Sequence, residues 1–392
     1  MSEAVDTNSP LQDLRILDLT RVMAGPYATR LLCDLGADVV KLEPPEGDIT
    51  RTWGDKRGGL SGFYTQQNAG KRNVCIDLKS TRGPELVRRL ADCADVLVEN
   101  FRPGVMARVG LSYEALRERN PRLIMLSVSG FGQSGPEVER LAYAPVIHAE
   151  AGYIARHAEM DGNPPSDPIF SLADSYSALH GTIALLSALH MRERTGVGQH
   201  IDLCMLRTLV ATDDYSHHLL DDAMPIERLG GQVFETVGGP ILISAQWKGL
   251  WYQLKKVFGL KADDGANLEE KIANRQTAVR EWIASYTDRD ALKRDLERAA
   301  LPWGDVRNPE DVLDSPTLKA RPPFAEVDDR AGGKRRVVEA PYEFSDASTG
   351  VRGPAPYRGE HNADVLRDWL ALPSEEIEGF EQSGTLLVEE VS

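Results

Sequence analysis

The sequence predicts an α/β protein, with an open, parallel, Rossmann-like sheet in a large domain plus a smaller α+β domain. Three observations predict it. Apolar runs of strand length alternate with segments of helical spacing, which is the signature of parallel βαβ units. The chain has 392 residues, more than one ordinary core serves, so two domains are expected. From residue 247 to 301 the pattern changes to charged, mostly helical sequence, which reads as the smaller domain.

The elements follow in order. Leu14–Leu19 is a buried strand, and Thr20 to Pro26 a Gly/Pro turn. Tyr27–Leu35 has helical spacing, with Gly36 as its C-cap, and Ala37–Glu43 is the second strand. The unit repeats as strand Asn73–Leu78, helix Thr81–Cys93, strand Val96–Val98, helix Tyr113–Arg119 and strand Leu123–Val128. A long Ala/Leu-rich helix runs from Ala173 to Arg194, and Gln199–Cys204 returns as a strand. Arg207–Leu220 reads as a helix, 221–240 as a polar, Gly-rich linker, and Ile241–Ala245 as a strand. Arg321-Pro-Pro-Phe324 marks the exit from the smaller domain. A strand near Val337, an extended Pro354–Pro356 segment and a final helix Asn362–Leu370 complete the chain, with no internal repeat.

Composition narrows the function. Hydrophobic residues make up 42% and charged residues 27%, a globular balance, and no apolar run is long enough to span a bilayer. The acidic, polar segment Met1–Gln12 is expected to be a frayed tail and no signal peptide. Cys33, Cys75, Cys93 and Cys204 lack ligand-like spacing, so they read as free thiols in a reducing, cytoplasmic setting. The net charge of −15 argues against nucleic acid or an anionic membrane as partner. Residues 1–120 hold 17 Lys plus Arg and 17 Asp plus Glu, so the deficit lies in the rest. A polyanionic small ligand is better received by this N-terminal stretch.

Candidate chemistry concentrates at a few places. Asp174 follows the apolar run Pro168–Ala173 and opens the long helix, where a carboxylate serves as a cap or as a nucleophile aimed into a cleft. Ala24-Gly25-Pro26 follows a strand but lacks G-x-G-x-x-G, so no nicotinamide or flavin site is expected. Asp213, Asp214, His217 and His218 share a helical face that suits a metal, but a solvated helix end is the commoner meaning, and no metal is expected. Lys71-Arg72 reads as an exposed turn. Glu99–Gly104 lies just past a strand, where α/β sheets gather ligands; Phe101 can stack on a base, and Arg102 and Arg108 can hold phosphates. His148, on an apolar stretch, is a core histidine or an acid/base partner of Asp174.

Six segments in order resemble the class III (family III) CoA-transferases, the group that includes formyl-CoA and carnitine CoA-transferases and the α-methylacyl-CoA racemases. They are LDLTRVMAGPYATRLLCDLGADVVKLEPPEGDITR (17–51), NAGKRNVCIDLKS (68–80), ADVLVENFRPGVMARVGL (94–111), SVSGFGQSGP (127–136), SLADSYSALHGTIALLSALHMRERTGVGQHIDL (171–203) and APYRGEHNADVL (355–366).

The resemblance implies an interlocked homodimer. It divides each subunit into a CoA-binding α/β segment over residues 1–205, a linker helix over 206–225, a small domain over 226–325 and a return to the large domain over 326–392. It implies that Asp174 is the catalytic residue, taking an acyl group from a donor acyl-CoA and passing CoA to a carboxylic acid acceptor. The helix N-terminus is expected to lower its pKa and keep it ionised. The CoA contacts implied are Met23, Ala24, Ile76, Asp77, Leu78, Lys79, Asn100, Phe101, Arg102, Arg108 and Arg140. The sequence departs from the family at Pro44, where some transferases carry an arginine. It also has only Gly230-Gly231-Gln232 and Gly238-Gly239 in place of a long glycine loop, so formate or oxalate is not the expected acid. The racemase alternative requires a His and an Asp where Tyr143 and Ala144 stand. A non-catalytic acyl-CoA-binding protein is the remaining alternative. Trp247 and Trp251 hint at an apolar acceptor.

Overall fold

The computed structural model describes residues 8–213 and 231–389. The chain divides into two compact units, Met1–Ser216 with Pro323–Ser392, and His217–Pro322.

The first unit is built on a six-stranded parallel sheet. Its strands are β1 (Arg15–Asp18), β2 (Asp38–Glu43), β5 (Arg72–Cys75), β6 (Val96–Glu99), β7 (Ile124–Ser129) and β8 (His200–Cys204), with the short pair β3 (Lys56–Arg57) and β4 (Leu60–Ser61) between β2 and β5. The order across the sheet is β5-β2-β1-β6-β7-β8. All five pairings are parallel, with Asp18 opposite Lys41 on one side and Val98 on the other. The six predicted sheet strands are therefore all present.

Helices α1 (Ala24–Asp34), α2 (Gly62–Asn68), α3 (Gly83–Asp92), α4 (Val105–Arg108), α5 (Tyr113–Arg119), α6 (Ala144–Glu150), α7 (Tyr153–Asp161), α8 (Leu172–Thr195) and α9 (Met205–Thr212) follow or separate these strands. Because successive strand residues point to opposite faces, each strand feeds two cores. Leu17, Leu97 and Met125 join one layer with α3 and α5. Ile16, Val96, Val98, Ile124 and Leu126 join the other with α1, α6, α8 and α9. The chain returns after the second unit as the hairpin β12 (Phe324–Asp328) and β13 (Lys334–Val338). Helices α14 (Asn362–Leu370) and α15 (Ser374–Gln382) then place Val365, Trp369, Ile377 and Phe380 in the first layer.

The second unit has its own sheet, β9 (Gln232–Phe234), β10 (Ile241–Ile243) and β11 (Trp303–Asp305), antiparallel in the order β11-β10-β9. Helices α10 (Trp247–Phe258), α11 (Leu268–Ala284) and α12 (Arg289–Arg298) supply its core, and α13 (Pro316–Ala320) follows. Trp251 is buried there, and Trp247 packs edge-on against Phe234.

Several expectations change. Residues 8–12 are docked: Ser9 is buried and Leu11 N–H donates to the Leu35 carbonyl at 3.0 Å, because Leu11 reaches the α1 layer. Residues 1–7 of the expected tail lie outside the described residues. Helix α1 starts at Ala24, so Gly25 and Pro26 form its first turn and not a loop; proline fits there because its missing N–H is one no helical bond needs. Strand β9 occupies some of the expected 221–240 linker. Asp214, His217, His218, Gly230 and the end of the 207–220 helix lie outside the described residues. Lys71 is fully buried against Asp18, at 2.9 Å, and not on an exposed turn. Helix α15 has no counterpart in the sequence reading, since Gly379 interrupts an otherwise acidic segment with few apolar residues. Among the described residues no helix is long and apolar enough to cross a membrane.

Candidate active site

The strand order reverses beside β1: the chain builds outward through β2 to β5, then crosses to β6 on the other side. Ligands in open α/β sheets bind at such a switch point, past the carboxyl ends of the strands. A cavity of about 150 Å³ lies there. Residues following β1 (Arg21, Val22, Ala24), β6 (Asn100 to Pro103) and β7 (Gly130), with Asp174 of α8, line it.

Asp174 occupies the first turn of α8 but does not cap it. It shares the cavity wall with Ala24, in the first turn of α1, whose backbone N–H favours the ionised carboxylate. The orphan N–H of Ala173 goes instead to His148 Nε2 at 3.2 Å. His148 Nδ1 lies 2.8 Å from Asp167, and with Nε2 accepting the Ala173 N–H it is Nδ1–H that donates to that carboxylate. The core reading of His148 is thus the structural one: it is 1% exposed and does not line the cavity. Burial pushes the Asp174 carboxyl up to about 6, with His148 and the Ala24 N–H acting in the opposite direction. This corrects the expectation of a lowered pKa, because loss of solvent outweighs what the helix end supplies.

The turn entering α1 is held residue by residue. Thr20 N–H donates to Asp18 at 2.9 Å and its carbonyl accepts Lys41 Nζ at 2.7 Å. Asn100 Oδ1 accepts Arg21 N–H and Asn100 Nδ2 donates to the Arg21 carbonyl, both at 2.9 Å. Val22 N–H donates to Asp48 at 3.2 Å. A side chain on Gly25 would meet Thr20 at 2.2 Å, so only glycine lets α1 begin this close to β1. Asp18, which anchors Thr20, is itself desolvated, yet Lys71 and Lys41 hold its carboxyl well below the usual range.

Of the residues expected to meet CoA, Ala24, Asn100, Phe101, Arg102 and Arg140 line the cavity with Asp174. Arg140 also pairs with Glu137 and Glu150, whereas Arg21 and Arg102 have no acidic partner among the described residues. Met23 is the residue just before α1. Ile76, Asp77, Leu78 and Lys79 lie past β5, outside this cavity: Ile76 is fully buried and bridges to Leu386, while Lys79 is exposed beside Glu46. Arg108 ends α4 and is exposed. Asp213 pairs with Arg156. Val22, Gly130 and Met205 line the site without having been expected there. Their only signal was position just past a strand.

The family model for CoA-transferase family III matches residues 11–362. The chain belongs to this family. The transferase is 33% identical to succinate–glutarate CoA-transferase of Agrobacterium fabrum, over 94% of this chain and 98% of that one. It is 31% identical to formyl-CoA:oxalate CoA-transferase of Streptomyces avermitilis, over 96% and 99%. Its fold matches the crystal structure of a CaiB/BaiF family protein from Brucella suis, with a TM-score of 0.79 and 33% identity over 93% of the transferase and 100% of that chain. It is a CoA-transferase, an enzyme class that uses acyl-CoA as substrate.

Proposed function

We propose that the transferase moves CoA between acids through covalent intermediates on Asp174. The carboxylate attacks the thioester carbonyl of the donor acyl-CoA, the C–S bond breaks, and CoA thiolate leaves a mixed anhydride. The thiolate then attacks the Asp174 carbonyl of that anhydride, releasing the donor acid and leaving an aspartyl-CoA thioester. The acceptor carboxylate attacks this thioester, expels CoA thiolate and forms a second anhydride. Attack of the thiolate on the acceptor carbonyl gives the new acyl-CoA and restores Asp174. Each step exchanges one activated acyl bond for another, so no single step carries the whole barrier.

The observation that carries this reading is the placement of the Asp174 carboxylate at the switch-point cavity, which Ala24 also lines. Once an acyl group is attached, the Ala24 N–H is positioned to stabilise negative charge developing on oxygen. The cavity-lining residues Ala24, Phe101, Arg102 and Arg140 are proposed to face the CoA thioester, with Met23 beside them, while Asn100 lines the cavity with its carboxamide on the Arg21 peptide. Arg21 and Arg102 suit phosphate or carboxylate oxygens. Residues Ile76 to Lys79 and Arg108 are proposed to serve the distal end of CoA. By similarity to the succinate–glutarate relative, a dicarboxylic acid is the first acceptor to try. The similarity to the oxalate enzyme means that overall identity does not by itself choose the acid.

A homodimer is proposed as well, supported by apolar side chains that α8 leaves exposed (Leu179, Ile183, Leu186) and by exposed Ile169 and Phe170 just before it.

Incubation with succinyl-CoA and hydroxylamine, followed by peptide mass spectrometry, tests the mechanism. A hydroxamate on Asp174 and no turnover by Asp174→Ala are expected. Equal turnover by wild type and Asp174→Ala sinks it.

A further inference from the structure

We infer that Asn100 is a positioning residue for the transfer reaction: it clamps Arg21 so that Val22 stays in a left-handed conformation and Ala24 N–H points at Asp174. The inference rests on Asp174 being the residue that carries the acyl group.

The carboxamide of Asn100 meets the Arg21 peptide from both sides, accepting its N–H and donating to its carbonyl, each at 2.9 Å. The next residue, Val22, has φ of 69°. A β-branched residue there is a genuine outlier, because its branched Cβ crowds the backbone. Such a conformation persists only where the surroundings over-determine it. The surroundings here are side chains from three other segments. Asn100 comes from the end of β6, Asp48 takes the Val22 N–H, and Lys41 of β2 takes the Thr20 carbonyl. Asp48 and Lys41 are buried and bonded to each other at 3.3 Å, so they are a fixed support.

The consequence falls two residues later. Val22 sets the direction in which the chain enters α1, and Ala24, the first residue of α1, lines the same cavity as Asp174, with its N–H favouring the ionised carboxylate. Without the clamp, Val22 relaxes to negative φ and that N–H swings away. The carboxylate then loses its fixed orientation toward the thioester. The resemblance assigns Asn100 to CoA binding; the hydrogen bonds commit its amide to the turn instead.

The test compares wild type, Asn100→Ala, Asn100→Asp and Asp174→Ala as full-length proteins, with succinyl-CoA as donor and glutarate as acceptor. Asn100→Asp keeps the shape and the acceptor for Arg21 N–H but removes the donor to the Arg21 carbonyl, so it stands in if the alanine variant does not fold. Thermal unfolding checks folding, and kcat, donor KM and the rate of hydroxylamine trapping are measured. Both Asn100 variants are expected to lower kcat and the trapping rate about 10- to 100-fold, the scale of a small misplacement of reacting groups, with donor KM changed by less than about threefold. A donor KM raised about tenfold or more with kcat intact overturns the inference and makes Asn100 a CoA ligand. If Asp174→Ala is active, the underlying mechanism falls instead.

Discussion

Replacing Asp174, the proposed nucleophile, should make the protein more stable. The Asp174 carboxyl is pushed from 3.8 up to about 6 by burial. That difference is about 2.2 pH units, or about 3 kcal/mol when the group is fully ionised. A carboxyl whose folded pKa lies above its unfolded value binds its proton better in the native state. The ionised form therefore costs stability, with the cost growing from about pH 4 and complete above about pH 6 to 7. Asp174→Asn removes the charge and keeps the size of the side chain and an acceptor oxygen. The side chain is partly exposed and water relaxes around it, so a gain of about 1–3 kcal/mol at pH 7.5 is expected. On the same linkage the gain roughly halves at pH 5. Guanidinium and thermal unfolding of the full chain at pH 5, 6 and 7.5 read this out, at about 2 °C per kcal/mol for a chain this large. A variant less stable than wild type at pH 7.5, or a gap that does not change with pH, refutes the reasoning. A positive result would show that the fold carries the cost of a charge it needs only for chemistry.

The same carboxyl sets a rate profile. In the proposed mechanism its ionised form attacks, so kcat/KM for the donor should fall about tenfold per unit below pH 6 and level off above pH 7; a profile flat down to pH 5 contradicts the assignment. His148→Phe strands the Ala173 N–H at the start of α8 and should cost about 1–3 kcal/mol in denaturant unfolding, with less lost in His148→Gln, which keeps an acceptor oxygen. Equal stability of the two variants would mean that the His148 acceptor is unimportant.

The local pattern in the sequence determined the six sheet strands. Given a strand, the pleat then places Ile16 and Leu17, and Leu97 and its neighbours Val96 and Val98, in opposite cores. It determined that Asp174 opens a helix, and the ordered motifs determined the family. These are properties of neighbours along the chain. Tertiary structure alone decided the rest, because the deciding partners are far apart in sequence. Lys71 is buried because Asp18 waits 53 residues away, where a turn-like Gly-Lys-Arg looks exposed on its own. Asn100 meets Arg21 across 79 residues, and only the reversal of strand order beside β1 makes them neighbours. The pKa of Asp174 went against the helix-end argument because burial is a sum over the whole fold, and that sum exceeds what one helix terminus supplies.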